Sequence, residues 1–178
     1  METNNTMRVG PEPRLGIDIG RVIIAPGQGS EDTSFIGGSD AAALATEPCA
    51  GALPAIAQLS RRSAGRVWLV SKCGTRVQGR SLAWLAHWRF HETTGVPTGN
   101  VHFCKLRHEK RGICDALGIT HFIDDRVDVL THLVGLVPNL FLFGPRRPGE
   151  AIPEFTQWCP DWSTAVAAIT ARLSGLCA

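Results

Sequence analysis

The sequence lacks a strong excess of charge of either sign, since 18 lysines and arginines stand against 16 acids and the net charge is +2. It has no polybasic run and no basic stripe, so neither a nucleic acid nor a membrane surface is expected as a partner. No apolar run approaches the roughly 20 residues that cross a membrane. The polar N-terminus METNNTMRVGPEPR has no apolar segment typical of a secretory signal. We therefore expect a cytoplasmic protein.

The cysteines contain no CxxC pair, which is the spacing typical of a zinc site. The six of them lie at positions 49, 73, 104, 114, 159 and 178. Because no secretory signal is recognised either, we expect reduced and mostly buried thiols. The sequence also contains no internal repeat and no low-complexity tract.

The composition that remains is typical of one globular domain. The chain has 178 residues, of which 44% are hydrophobic and 19% are charged, and this is enough apolar material for a packed core. Residues 1–13 are expected to form a flexible lead-in. Residues 14–178 are expected to form a single domain.

Five apolar segments alternate with segments of helical periodicity. The predicted strands are 15–19, 66–71, 101–104, 120–124 and 139–143, and the predicted helices are 52–63, 80–95, 108–117, 126–135 and 161–174. Ser81 is predicted to cap the second of these helices, and Asp161 or Ser163 the last. Near-continuous apolar strands that alternate with helices predict an α/β fold with helices on both faces of a sheet. More specifically, we predict a three-layer, doubly wound, Rossmann-like fold with five parallel strands.

Polar residues stand where three of the apolar strands end, at Asp18, at Ser71 and at the pair Asp124-Asp125. Ligands of open parallel sheets bind at the carboxyl ends of the strands. If the first, second and fourth strands are neighbours, these residues meet at one edge. Converging carboxylates repel each other unless a cation neutralises them, and hard oxygen ligands suit Mg²⁺. A carboxylate beside a metal and a lysine can also attack a phosphoryl group.

The ordered segments DIGRV, LVSKCG, HEKRGICDALGI and HFIDDR resemble the four motifs of the haloacid dehalogenase-like hydrolase superfamily, over roughly residues 14 to 145. The resemblance implies a HAD-like fold with Asp18 as nucleophile, Ser71 as a ligand of the phosphoryl group and Lys110 beside the nucleophile. It implies a Mg²⁺ site formed by Asp18, the Gly20 carbonyl oxygen, Asp124 and Asp125. Ser71, Lys72, Gly20 and Arg21 are expected to bind substrate. Lys72 and Lys105 compete with Lys110 for the lysine role, and Lys110 is favoured.

The implied activity is Mg²⁺-dependent hydrolysis of a phosphorylated small molecule through an aspartyl-phosphate at Asp18. Most phosphatases of this superfamily carry a second aspartate two residues after the first, where this chain has Gly20. That aspartate is an acid and base worth about 10²- to 10⁴-fold in rate. Glu31 or Asp32, in a glycine-rich loop over 26–40, could replace it. The alternatives are a weakened member that binds a phosphorylated ligand or a protein partner, and halide displacement at Asp18.

The segments between these motifs are too short to hold a large cap domain. We therefore expect an open site, which either the loop over 26–40 or a partner subunit covers. A homodimer is accordingly one expectation for the assembly.

Overall fold

The computed structural model describes residues 12–27, 38–146 and 149–175. Residues 1–11 of the expected lead-in lie outside the described residues, and so do Glu31 and Asp32 of the predicted loop. The described chain forms an α/β fold in which helices flank a single parallel sheet.

The strands are β1 (Leu15–Ile17), β2 (Val67–Lys72), β3 (Val101–Cys104), β4 (His121–Asp124), β5 (Asn139–Phe143) and β6 (Gln157–Cys159). They pair in the order β3-β2-β1-β4-β5-β6, and every pair is parallel. The sheet therefore grows outward from β1 in both directions, as in Rossmann-like folds. The order reverses between β1 and β4, which is where such sheets bind ligands.

The sixth strand corrects the prediction of five strands. β6 has three residues and pairs through its backbone with β5 alone, at the edge of the sheet. Gln157 and Trp158 are exposed, and only Cys159 of this strand is buried. The segment therefore lacks the continuous apolar run by which a buried parallel strand is recognised.

The described residues form seven α-helices. These are α1 (Asp40–Leu44), α2 (Ala52–Arg62), α3 (Thr75–His87), α4 (Phe90–Thr94), α5 (Lys110–Ala116), α6 (Val127–Leu133) and α7 (Trp162–Gly175). A single 3₁₀ turn, Arg107–Glu109, precedes α5. As predicted, Asp161 caps α7, since its carboxylate accepts a hydrogen bond from the Thr164 amide at 2.8 Å. No helix in the described ranges is both long enough and apolar enough to span a membrane.

Two hydrophobic cores cover the two faces of the sheet. One contains α2, α4 and α7, which pack together, and the other contains α5 and α6. Gly16 of β1 faces the second core. A Cβ atom there would lie 2.4 Å from the ring of Phe122, so the close packing of β1 against this ring requires a glycine.

The helix predicted over 80–95 is wrong in its bounds, because two helices, α3 and α4, occupy this region. The helix begins after Gly74, and Ser81, the predicted cap, is a buried residue within α3. Its hydroxyl donates a hydrogen bond to the Val77 carbonyl at 2.8 Å. The break follows from Arg89, whose φ of 50° is left-handed and ends the run of helical residues. The apolar periodicity continues across this break, so it could not mark the break.

A short helix, α1, stands at the end of the region predicted as a loop. The Ser39 hydroxyl caps it by accepting a hydrogen bond from the Ala42 amide at 3.1 Å. Arg80 of α3, which is buried, holds α1 in place through an ion pair with Asp40 at 2.8 Å and a hydrogen bond to the Gly38 carbonyl at 3.0 Å. With five residues, α1 has too few positions to show a helical pattern.

Candidate functional site

The carboxyl ends of β1, β2 and β4 bring the predicted site residues to one edge of the sheet. Asp18 directly follows β1, Ser71 lies near the end of β2, and Asp124 is the last residue of β4. β1 lies between β2 and β4, so the three side chains become neighbours. The Asp18 amide donates to the Ile123 carbonyl at 3.0 Å, which fixes the chain where it leaves β1.

All of the predicted site residues line one cleft at this edge, which has a volume of about 150 Å³. They are Asp18, Gly20, Arg21, Ser71, Lys72, Lys110, Asp124 and Asp125. The sheet topology therefore assembles residues from four separate segments of the chain.

Lys110 lies at the centre of the cleft floor, between two of the acids. Its Nζ atom donates to Asp18 Oδ1 at 2.6 Å and to Asp124 Oδ2 at 2.8 Å. The lysine side chain is only 2% exposed. Burial alone would lower the pKa of Lys110, but the two carboxylates outweigh burial and raise this pKa above its ordinary value. The ammonium group is therefore a permanent positive charge that joins β1 to β4.

The two competing lysines are placed differently. Lys72 lines the cleft but is exposed, and its side chain makes no hydrogen bond or ion pair with the described residues. Lys105 is not among the described residues that line the cleft. Of the three lysines, Lys110 alone contacts acids of the cleft.

Asp125 completes a group of three acids. One carboxylate oxygen from each of Asp18, Asp124 and Asp125 lies within 4.8 Å of the others. Burial, together with repulsion from Asp18, raises the pKa of Asp125 to about 6, although Arg21 forms an ion pair with it at 3.2 Å. Burial also raises the pKa of Asp124, and the neighbouring acids raise it further, while Lys110 opposes this shift.

These properties fit a divalent cation with hard oxygen ligands. The three carboxylates are close enough to share one ion. The pKa values of Asp124 and Asp125 are raised, by burial first and then by the neighbouring acids, so a cation placed between these groups would stabilise their charged forms. Mg²⁺ is typically bound by one or two carboxylates together with phosphate oxygens and water. The donor set of this cleft matches that requirement.

The turn after β1 places Gly20 and Arg21 in the cleft. Arg21 has a left-handed φ of 62°, and its amide donates to the Ile24 carbonyl at 2.8 Å. Gly20 is not among the described glycines with positive φ, so the backbone there does not require a glycine. Its lack of a side chain leaves Asp18, Asp124 and Asp125 as the acids that line the cleft among the described residues.

Ser71 offers a free hydroxyl group beside Asp18. The residue is 7% exposed, and its side chain has no hydrogen-bond partner among the residues that the structure describes. Because this hydroxyl group lines the cleft and has no protein partner there, it is available to a ligand. The neighbouring Cys73 is a free thiol whose pKa is raised to about 11, by burial first and then by the charge of Asp18. It is therefore a neutral group and not a thiolate nucleophile.

Two basic residues of the cleft, Arg107 and Arg126, had no role assigned to them from the sequence. Arg107 comes from the 3₁₀ turn before α5, and Arg126 follows the Asp124-Asp125 pair. The Arg126 amide also donates to Asp124 Oδ1 at 3.0 Å and so orients that carboxylate. The position of Arg126 directly after two acids at a strand end indicated a place in the cleft. No pattern in the sequence around Arg107 indicated one.

Comparison of the sequence with protein-family models and with curated proteins found no match.

Proposed function

We propose that this protein is a small, HAD-like hydrolase that cleaves a phosphorylated small molecule through an aspartyl-phosphate at Asp18. The observation that carries the proposal is the position of Lys110, which holds Asp18 and Asp124 together at 2.6 and 2.8 Å in a buried cleft floor. A lysine whose role is only structural needs a single carboxylate partner. Two acids, a free serine hydroxyl and a third acid around one lysine are instead typical of a phosphoryl-transfer site.

The chemistry follows from the contacts of Asp18. Its Oδ1 atom accepts a hydrogen bond from Lys110, while Oδ2 is left to attack phosphorus. The Ser71 hydroxyl donates to a phosphoryl oxygen and orients the group. A bond forms between Asp18 and phosphorus as the bond to the leaving oxygen breaks, and that oxygen takes a proton from water. A second water then hydrolyses the aspartyl-phosphate, releasing phosphate and restoring Asp18.

A bound Mg²⁺ ion would be held by Asp18, Asp124 and Asp125, with the Gly20 carbonyl oxygen beside them. It would supply positive charge that offsets the charge of the phosphoryl group. The protein contributes the same kind of stabilisation independently through Lys110. It also excludes water from the floor of the cleft, where Lys110 and Asp124 are almost fully buried.

The test is the variant Asp18→Asn, assayed with 4-nitrophenyl phosphate and Mg²⁺. Hydrolysis should fall to background, whereas Asp115→Asn, which alters an exposed acid of α5, should keep full activity. Phosphatase activity that survives in Asp18→Asn would overturn the mechanism. Halide release that persists in a chelator would instead favour displacement at Asp18 without a metal.

Gly20 supports a second candidate function, a protein that binds a phosphorylated ligand and turns it over little or not at all. Without a side chain at position 20, the described cleft has no acid placed to protonate a leaving alcohol. The variant Gly20→Asp separates the candidates in the same assay. A large gain from near zero supports the binding protein, and a loss shows that Gly20 belongs to an active site.

A further inference from the structure

Three basic side chains of the cleft have no part in the mechanism above. We call Lys72, Arg107 and Arg126 the outer cations. The acids of the cleft floor have other basic partners, since Lys110 contacts two of them and Arg21 contacts the third. Among the described residues the outer cations form no ion pair with these acids, so their charge is additional to that of Lys110 and Arg21.

One acid faces two of the outer cations. Arg126 donates to the Asp128 carboxylate at 2.9 and 3.3 Å, and Arg107 lies 3.5 Å from the same carboxylate. Lys72 makes no ion pair within the described residues. Two guanidinium groups share one carboxylate and the lysine has none, so positive charge remains in excess at this place.

The outer cations lie at the mouth of the cleft. Arg107 and Arg126 are 39% and 41% exposed, and Lys72 is also exposed, while Lys110 on the floor is 2% exposed. Phosphoryl transfer places the attacking and leaving oxygens roughly in line. A phosphoryl group attacked by Asp18 from the floor therefore directs its leaving group toward the mouth.

The leaving group is also limited by Gly20. An alkoxide is a poor leaving group and needs a proton, which the described residues of the cleft do not supply. A phosphoanhydride releases a phosphate group, and the second ionisation of a phosphate monoester has a pKa near 6. Such a leaving group therefore departs as a stable anion at neutral pH and needs no proton. The missing acid and the excess of positive charge are separate observations, and both favour a leaving group that is an anion.

We propose that the substrate is a phosphoanhydride, and that the outer cations bind the phosphate that leaves. This inference rests on the proposed function of Asp18. The bond from Asp18 to phosphorus forms as the bridging P–O bond breaks, and the electron pair stays on the leaving phosphate, which needs no proton. The cleft volume of about 150 Å³ is below the roughly 300–1,000 Å³ of ordinary ligand pockets. This volume suits a compact diphosphate group, and any other part of the substrate would lie outside the cleft.

The first test is a binding measurement that does not depend on turnover. Imidodiphosphate, in which nitrogen replaces the bridging oxygen, is compared with inorganic phosphate by calorimetry on the full-length protein, with and without Mg²⁺. Imidodiphosphate should bind at least about tenfold more tightly, as expected for one or more additional charge-assisted hydrogen bonds. Lys72→Gln should remove most of this advantage. Lys105→Gln, which changes the net charge equally outside the cleft, should keep it.

The second test compares hydrolysis of pyrophosphate and of glycerol 3-phosphate. Pyrophosphate should have a kcat/KM at least about 100-fold higher, because the ester lacks the acid catalysis that it needs. Lys72→Gln should reduce this ratio and Lys105→Gln should not.

Equal rates for the two substrates, or equal binding of phosphate and imidodiphosphate, would overturn the inference and leave the proposed function standing. Failure of the proposed function has a different signature, in which neither compound is hydrolysed in a manner that depends on Asp18.

Discussion

At the scale of single residues, Lys110 determines whether the cleft floor can exist as it is. It is buried together with Asp18 and Asp124, and these two acids come from different strands. Taking charges out of water is expensive, and removing one partner leaves the other charges uncompensated. The lysine therefore stabilises the fold through its two ion pairs as well as contacting the proposed nucleophile.

The variant Lys110→Met should lower the free energy of unfolding by about 3–5 kcal/mol at pH 8. The loss should shrink at pH 5, because the Asp124 carboxyl group, whose pKa is raised even beside Lys110, can then bind a proton in the folded state. Urea denaturation at both pH values measures the effect, with the exposed Lys105→Met as control. A loss that does not depend on pH would show that packing, and not charge, is the contribution of Lys110.

The sequence predicted the acids of the cleft floor because they stand at strand ends, and it predicted Lys110 because this residue lies in one of the four motif-like segments. Of the outer cations, it predicted Lys72 as a substrate ligand but gave no role to Arg107 or Arg126. Arg107 reaches the cleft because the turn before α5 crosses toward α6, where Arg107 meets Asp128. That approach depends on helix packing between segments distant in the chain, and no local pattern of residues encodes it.

At the scale of elements, the break between α3 and α4 depends on Arg89. This residue adopts a left-handed backbone conformation, which costs roughly 1–2 kcal/mol for a residue other than glycine. Among the described residues, the one polar contact of its side chain is an exposed ion pair with Glu92 at 2.9 Å, a type of contact that contributes little. The conformation is thus imposed by the packing of both helices and not by the residue itself.

Arg89→Gly should therefore stabilise the protein, by about 0.5–1 kcal/mol after the greater freedom of glycine in the unfolded chain is deducted. Ala83→Gly, in the exposed middle of α3, is the matched control and should destabilise by about 1 kcal/mol. Thermal unfolding of both variants provides the comparison. A destabilised Arg89→Gly would mean that the ion pair or the arginine stem matters more than the backbone strain.

The strands and helices that the sequence predicted correctly are those with a buried face. β1, β2, β4 and β5 are almost entirely buried and read as apolar runs. β6 is stabilised by backbone pairing at an edge, and α1 by a serine cap and the Arg80 ion pair. Neither kind of contact requires apolar periodicity, so both elements were missed.

At the scale of the whole molecule, stability should depend on the acid cluster and on any cation bound to it. A ligand that binds only the folded state stabilises it by about 2.7 kcal/mol at 100 times its Kd. Saturating Mg²⁺ should therefore raise the melting temperature by several degrees at pH 7.5, in buffers of equal ionic strength. Asp124→Asn should abolish the rise, and Asp115→Asn should preserve it. An equal rise in both variants would place the bound cation elsewhere.

A second property of the whole molecule is sensitivity to acid through His121. This side chain is fully buried, is stacked on Phe141 and has no hydrogen-bond partner for Nε2 among the described residues. Burial lowers the pKa of His121 to about 4 from its ordinary value of 6.5. The unfolded chain therefore binds a proton that the folded chain excludes. Stability from this group is complete above pH 6.5 and declines as the pH falls toward 4.

The contribution of His121 to the free energy of unfolding falls by as much as about 3 kcal/mol, with a slope of up to about 1.4 kcal/mol per pH unit. His121→Gln should remove it, and His87→Gln, at an exposed position of α3, should retain it. Denaturation curves at half-unit steps of pH reveal the difference between the variants. The comparison is needed because Asp124 and Asp125, with raised pKa values, contribute a slope of opposite sign.

The central position of β1 has a consequence for the chain while it is being synthesised. A chain that has emerged as far as β3 can form only half of the sheet, in which β1 is an open edge. Leu15 and Ile17 then have no strand to pair with on the side that β4 later occupies. Asp18 has no contact with Lys110, which lies 92 positions further along the chain. Until β4 arrives, the future centre of the molecule is its least protected strand. The nascent chain is therefore most exposed to misassociation at the place that later holds the cleft.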